Sequence, residues 1–422
     1  MKVNIKKYKV LLFFLISFFV ITALILLMFS KINKDKSELS CSAQKQITEN
    51  TDLNKKEMRA VWVTFMDLSM KDTDYSENAF KKKFDKIVSD CKKLKMNTLI
   101  VHVRPFSDAL YKSKYFPLSH IVSKKQGDYP GYDPLYYMVK KSHEEGLEIH
   151  AWINPFRIQL NSVPSILDSS NPFLTLKNKK RNDLTVDFGT SKYLNPCSKE
   201  VQNLIIDGVK ELAKGYKIDG IHFDDYFYPE LPKKTEKLNA ENFDDSDYES
   251  YCKSLDSAIK PLTHRVWRME NINSLIKRVY KEIKNINPKM VFGISPCCNN
   301  EVNYRIGADV YTWCKNEGYI DYICPQIYVS LDHPVLPFKK SADEWKGIVK
   351  NKNIKLYYGL AVYKAGSKTV DSGTWGNSND ILKKQIEYVK SLGCDGYMFF
   401  DYQSLVGKQG KEEVKNMLEI LD

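Results

Sequence analysis

The sequence predicts a single (β/α)8 TIM barrel behind an N-terminal transmembrane anchor and a short linker. Three observations lead there. Short apolar runs of strand length alternate with longer stretches of helical period from Glu57 onward, the pattern of βα units on a parallel sheet. Eight such runs occur, the number that closes a barrel. Polar and aromatic residues collect where those runs end, and that is the end at which a parallel barrel places its chemistry. A doubly wound open sheet is the fallback, but its Gly-rich phosphate turn is missing.

The chain begins with Lys2, Lys6, Lys7 and Lys9, followed by an apolar run over 10–29. About twenty residues at helical rise span a bilayer core. The run is longer than a usual signal core and no small-x-small site follows at 30–36, so an uncleaved anchor is expected over 1–30. Cleavage and secretion is the alternative. Leu39-Ser40-Cys41 faintly suggests a lipoprotein site, against which Glu38 and the gap after the apolar run both argue. Lysines ahead of the run place that end in the cytoplasm and the body outside. Residues 31–56 are rich in Ser, Asn, Gln and Lys and read as a linker.

The body, 57–422, is read as one domain, and 43% apolar residues over 422 is a globular composition. Lys plus Arg exceed Asp plus Glu by 64 − 52 = 12, a charge suited to anionic envelope polymers or lipid headgroups. No basic stripe with interleaved aromatics appears, which excludes nucleic acid as the expected partner. Nine cysteines without a C-x-x-C pair argue against zinc, and their odd count leaves one thiol without an internal partner. No cofactor or metal is expected, and oligomeric state is left open.

The apolar runs are 59–64, 98–104, 148–154, 220–226, 291–296, 322–328, 356–363 and 396–402. Between them, Ala79, Phe84, Ile87, Val88, Cys91 and Leu94 recur at intervals that mark one buried helix face. The stretches 201–216, 272–286, 381–392 and 412–421 behave alike. Two connections, 156–196 and 228–268, are too long for turns; each follows a strand and is expected to rise as a wall over the catalytic face.

Strand four organises the site. In Gly220-Ile221-His222-Phe223-Asp224-Asp225-Tyr226, alternation puts Ile221 and Phe223 on one face and His222, Asp224 and Tyr226 on the other. The other strand ends supply Trp62, His102, Arg104, Trp152, Asn154, Arg157, Gln326, Tyr328 and Tyr402. Together with His222 and Tyr226 these are the expected substrate-binding residues. Flat rings stack on pyranose faces, and planar polar groups hold hydroxyls and N-acetyl groups, so a sugar is expected.

Glycoside hydrolysis needs two carboxyl groups. Asp224, Asp225 and Asp401 are the candidates. Asp224, on the inward face with His222 placed to hold it ionised, is expected as nucleophile or charge stabiliser. Asp225 or Asp401 is expected as the acid, with Glu301 a weaker rival. Adjacent side chains on a regular strand diverge, so the Asp224–Asp225 pair requires a bend after Phe223. His102, His150 and His222 lie on separate strands and read as supports rather than metal ligands.

Glu57-Met58-Arg59-Ala60-Val61-Trp62-Val63, Asp108-Ala109-Leu110-Tyr111 and His150-Ala151-Trp152-Ile153-Asn154-Pro155-Phe156-Arg157 resemble the glycosyl hydrolase-like family 10. So do Tyr193-Leu194-Asn195-Pro196, residues 219–229, Phe292-Gly293-Ile294-Ser295-Pro296 and Pro325-Gln326-Ile327-Tyr328, in the family's order. The resemblance implies a barrel related to the amylase and α-galactosidase superfamilies. It also implies a cell-wall glycosidase, because the better understood members are envelope lipoproteins that cut denuded peptidoglycan strands, polymers of N-acetylhexosamines. Gly220-Ile221-His222-Phe223-Asp224 further resembles the amylase strand-four motif, whose final Asp is the nucleophile. The amylase strand-five glutamate has no counterpart at Ser295. Cys297-Cys298-Asn299-Asn300 replaces the usual Phe-Gly and Trp-containing segment, and Val329 stands where an aromatic is common.

Overall fold

The computed structural model describes residues 57–178, 182–188, 190–229 and 244–421. Strands β1 (Met58–Val63), β2 (Thr98–Arg104), β3 (Glu148–Ile153), β4 (Gly220–Phe223) and β5 (Val291–Ile294) follow in chain order. β6 comes in two pieces, Tyr322–Ile323 and Gln326–Ile327, interrupted where Pro325 has no N–H to give the ladder. β7 (Lys355–Ala361) and β8 (Gly396–Phe400) complete the set. Every neighbouring pair is parallel, and β8 pairs with both β7 and β1, so the ring closes as a (β/α)8 barrel.

Alternation assigns the faces. Val61, Val63, Leu99, Val101, Ile221 and Phe223 pack outward under the helices, whereas Ala60, Trp62, Ile100, Trp152, Tyr322 and Met398 fill the barrel. The helices begin where their caps dictate. Ser76 caps Glu77–Lys93, Asp133 caps Pro134–Glu144 with proline in the first turn, and Ser198 caps Lys199–Gly215. Glu77–Lys93 buries Phe80, Phe84, Ile87, Val88 and Cys91. Each large apolar side chain so buried contributes about 1.5–3 kcal/mol.

Glycines inside the barrel make room for its largest rings. A Cβ on Gly293 would stand 2.1 Å from the Tyr322 ring, and one on Gly220 would stand 2.8 Å from His150. Without side chains there, Tyr322 reaches across the barrel axis toward β3 and β4.

One strand departs from simple alternation. Between His102 and Arg104 the pairing of β2 with β3 slips, so His102 faces Trp152 but Arg104 faces Ile153. The slip turns Arg104 to the outer face. There it is fully buried over the Phe116 ring, 4.3 Å from the guanidinium carbon.

The 156–196 connection carries a three-stranded antiparallel sheet, ordered Arg157–Gln159, Ser191–Leu194, Thr185–Phe188, and a short helix, Pro172–Asn178. The second long connection is described from Asp244, where the helix Asp245–Ser254 begins. Every described cysteine is a free thiol. The expected anchor, 1–30, and linker, 31–56, lie outside the described residues; among those described, no helix is long and apolar enough to cross a membrane.

Candidate active site

β4 stops at Phe223, and the chain bends through Asp224 and Asp225. The Tyr226 N–H points at Asp224 Oδ1 at 3.4 Å, and the Phe227 N–H donates to the Asp225 carbonyl at 3.0 Å. An Asx-type turn of this kind substitutes side-chain acceptance for the strand ladder. Adjacent residues that would diverge on a strand therefore both line one cavity.

Asp224 is 3% exposed. Its Oδ2 accepts from Trp152 Nε1 at 3.0 Å and from Asn154 Nδ2. The Asn154 oxygen in turn accepts from His102 Nε2 at 2.8 Å and from the Arg157 guanidinium. Arg157 also donates to the Pro105 carbonyl at 3.0 Å and lies over the Tyr226 ring at 4.6 Å. Burial is the strongest influence on Asp224 and pushes its pKa up to about 7; the Arg157 charge and the Trp152 hydrogen bond pull it back down, and Asp225 adds to the rise. This carboxyl sits at the edge of ionisation at neutral pH, where proton-transfer groups work best.

The floor under the pair is a layer of neutral rings. Trp62 Nε1 donates to His222 Nε2 at 3.3 Å, and since indole N–H only donates, His222 carries its proton on Nδ1. That proton goes to Tyr322 Oη at 2.9 Å, which leaves the Tyr322 hydroxyl to donate to His150 Nδ1 at 3.1 Å. Ser295 Oγ lies 3.0 Å from His222 Nε2. Burial holds His222 and His102 well below the usual imidazole pKa and takes His150 to about 4. His222, expected to hold Asp224 ionised, instead orients Trp62 and Tyr322, and the Asp224 carboxylate is held by Trp152 and Asn154.

Above the pair opens a cavity of about 310 Å3. Trp62, His102, Trp152, Arg157, Asp224, Asp225, Tyr226, Gln326 and Tyr328 line it, and Thr64, Phe65, Met66, Leu160, Ser295 and Phe400 complete the walls. Trp62 meets Tyr328 edge-on at 6.4 Å and Phe400 at 5.8 Å, while Trp152 stacks on His102 at 3.7 Å. Tyr226, 39% exposed, stands at the rim.

Residues 57–377 match the family described as Glycosyl hydrolase-like 10. The chain belongs to the glycosyl hydrolase-like 10 family. It is 34% identical over 379 residues to the glycosyl hydrolase YngK of Bacillus subtilis (strain 168), covering 83% of this chain and 69% of that protein. It is 32% identical over 316 residues to the glycosyl hydrolase DigH of Escherichia coli (strain K12), covering 70% of this chain and 69% of that protein. Among solved structures it resembles the PgaB (BpsB) glycoside hydrolase domain from Bordetella bronchiseptica, with a TM-score of 0.55 at 10% identity over 87% of this chain and 99% of that one. At that identity the likeness is one of fold.

Four of the residues expected at this glycosyl hydrolase-like 10 site stand elsewhere. Arg104 lies behind β2, turned out by the slip in pairing. Asp401 caps the helix Tyr402–Leu405, accepting from Ser404 N–H at 3.0 Å and Ser404 Oγ at 2.6 Å. Tyr402 donates to Asp90 at 2.9 Å, on the helix Glu77–Lys93. Glu301 is exposed in the first turn of Asn300–Arg305, which Asn299 caps. Asn154 and His222 act from just beneath the lining, through Asp224 and Trp62.

Phe65, Met66, Leu160 and Phe400 also line the cavity and were not expected there. Thr64-Phe65-Met66-Asp67 carries a signal for the first two: Thr64 and Asp67 form a capping box that starts the helix Phe65–Leu68 at the end of β1. Phe400 has no such signal, because an apolar residue at a strand end reads as core.

Two other features of this barrel have the outline of a site. Asp244, Asp245 and His264 come close enough to share a cation, but Arg268 already donates twice to Asp244, from Nε at 2.8 Å and Nη2 at 2.5 Å. The bound guanidinium neutralises Asp244 and occupies both its oxygens, so that carboxylate is already committed. A larger cleft, about 870 Å3, opens among the starts of β3, β4 and β5. In it Asp219 is occupied by His143 at 2.9 Å and by the Ile149 N–H, and the Tyr216 hydroxyl is taken by Asp133 at 2.6 Å.

Proposed function

We propose that this chain is a membrane-anchored, extracytoplasmic glycoside hydrolase that cleaves denuded, peptidoglycan-type glycan strands by carboxyl acid–base chemistry. The carrying observation is the Asp224–Asp225 pair, delivered by the bend after β4 into an aromatic-walled cavity, with one carboxyl near neutral pKa. Trp62, Trp152, Tyr226 and Tyr328 offer faces and edges for pyranose rings, and Arg157 and Gln326 offer donors to hydroxyl and N-acetyl oxygens. Relatives named as glycosyl hydrolases support the reaction class. The substrate class rests on the family resemblance and on a net charge of +12, which favours anionic envelope polymers. The anchor rests on the apolar run at 10–29 and the lysines before it.

The test is incubation of full-length protein, in detergent, with glycan strands stripped of stem peptides and with intact peptidoglycan, following new reducing ends. Cleavage of denuded strands that is lost in Asp224→Asn supports the reading; binding without new reducing ends overturns it. Cell fractionation tests the anchor, since recovery of a shortened protein from the medium would mean that the apolar segment is removed.

A further inference from the structure

The two carboxyl groups that line this cavity among the described residues are consecutive in the chain. Among the described residues that line it there is no third. Glu301 is exposed in its own helix and Asp401 caps another. A mechanism with a carboxylate nucleophile or base needs its two carboxyls on opposite sides of the scissile bond, about 5–5.5 Å apart or about 6.5–9.5 Å apart. Asp224 and Asp225 both reach this cavity from the end of one strand.

The hydrogen bonds also divide the labour. Asp224 is buried at the cavity wall, its Oδ2 is held by Trp152 and Asn154, and its Oδ1 takes a long contact from the Tyr226 N–H. A carboxylate pinned in this way is suited to accept a hydrogen bond from a fixed donor. Asp225, further along the bend, is the more exposed of the two and lines the same cavity.

Resting on the glycosidase reading, we infer that the nucleophile belongs to the substrate: the site acts on β-linked 2-acetamido sugars, whose acetamide attacks C1 while Asp224 holds its N–H and Asp225 serves as the acid. In the first step the Asp225 carboxyl gives its proton to the glycosidic oxygen as the C1–O bond breaks. The acetamido carbonyl oxygen forms a bond to C1, and the N–H proton passes to Asp224, leaving a neutral oxazoline. In the second step a water oxygen bonds to C1 and the water's proton goes to Asp225. The oxazoline C1–O bond breaks, its electron pair returns to the carbonyl, and Asp224 gives the proton back to nitrogen. The balance is one glycosidic bond and one water consumed, two hydroxyl groups formed, and the β-configuration retained. The acetamide must approach opposite the leaving oxygen, which restricts the linkage to 1,2-trans.

The test uses full-length protein and denuded β-1,4 strands in three forms: N-acetylated, chemically de-N-acetylated, and re-acylated with trifluoroacetyl. Reducing-end release is expected from the first, reduced from the trifluoroacetylated strands, and lost from the de-N-acetylated ones. A sugar thiazoline, which copies the cyclised intermediate, is expected to inhibit, and Asp224→Asn to weaken that inhibition. Asp225→Asn is expected to slow strand cleavage about 10²–10⁴-fold. It should spare much of the activity on an aryl glycoside whose leaving group needs no proton, which also shows that the variant folds. Equal cleavage of de-N-acetylated strands, an inverted product, or a 2-fluoro sugar trapped covalently on a carboxylate would overturn the inference while leaving the glycosidase reading intact. Failure to cleave any of the three strands would remove both.

Discussion

Asn154 presents its amide nitrogen to Asp224 because its oxygen is already taken by two donors. His102 Nε2 lies 2.8 Å from that oxygen, and Arg157, which can only donate, also reaches it. The orientation is enforced from behind, and it favours the ionised form of a carboxyl that burial pushes the other way.

The pH profile reads this contest. Activity that needs Asp224 ionised should rise through an acid limb near pH 7, its raised value, in kcat/KM. In Asn154→Ala a donor to the carboxylate is lost, so the limb should move to higher pH. A limb that stays in place would show that Asn154 does not tune Asp224.

Stability should move oppositely to activity at Asp224. Its folded pKa of about 7 lies above the ordinary carboxyl value, so its proton linkage favours the fold below about pH 4 and fades as pH rises toward 7. Asp224→Asn removes the buried charge and should gain on the order of a few kcal/mol over wild type at pH 8, with the advantage shrinking toward pH 4. The same variant should lose about 10²–10⁴-fold in strand cleavage. Paired thermal melts across pH and reducing-end assays check both halves.

Arg104 and Arg157 should respond differently to the same change. Arg104 is buried on the outer side of β2, where burial disfavours its charge and only the Tyr111 hydroxyl and the more distant Glu211 offset that, so Arg104→Met should change stability and leave kcat/KM alone. Arg157→Met removes the cation above Tyr226 and beside Asp224, and should depress activity and raise the acid limb. Denaturation midpoints and pH profiles of the two variants separate them.

Gly293→Ala tests the packing of the floor. The new methyl would fall 2.1 Å from the Tyr322 ring, so the ring or β5 must shift, at a cost of about 1–3 kcal/mol. Displacing Tyr322 also loosens His222, and Trp62 with it, so KM for strands should rise along with the loss of stability.

The barrel was legible because eight apolar runs separated by amphipathic helices leave few other ways to bury their faces. Asp224 was legible because alternation from Ile221 and Phe223 sets its face. Arg104 was not, since alternation breaks wherever pairing slips by a residue and nothing in Leu99-Ile100-Val101-His102-Val103-Arg104 announces the slip. Asp401 carries its own signal: Asp401-Tyr402-Gln403-Ser404 has the polar residue before a helix that marks an N-cap. The shell of Trp152, Asn154 and Arg157 was named residue by residue, but its order, with Arg157 acting through Asn154, depends on three-dimensional reach that spacing does not encode.

The Tyr322 hydroxyl, shared between His150 and His222, bears on where protons travel. Both imidazoles are kept uncharged by burial, so the layer beneath the acids acts as an insulator rather than a wire. Whatever proton Asp224 or Asp225 gains or gives must be exchanged through the mouth of the cavity, with the glycan or with water held against it. A bound sugar chain that seals the mouth thereby becomes the gatekeeper of the enzyme's own protonation state.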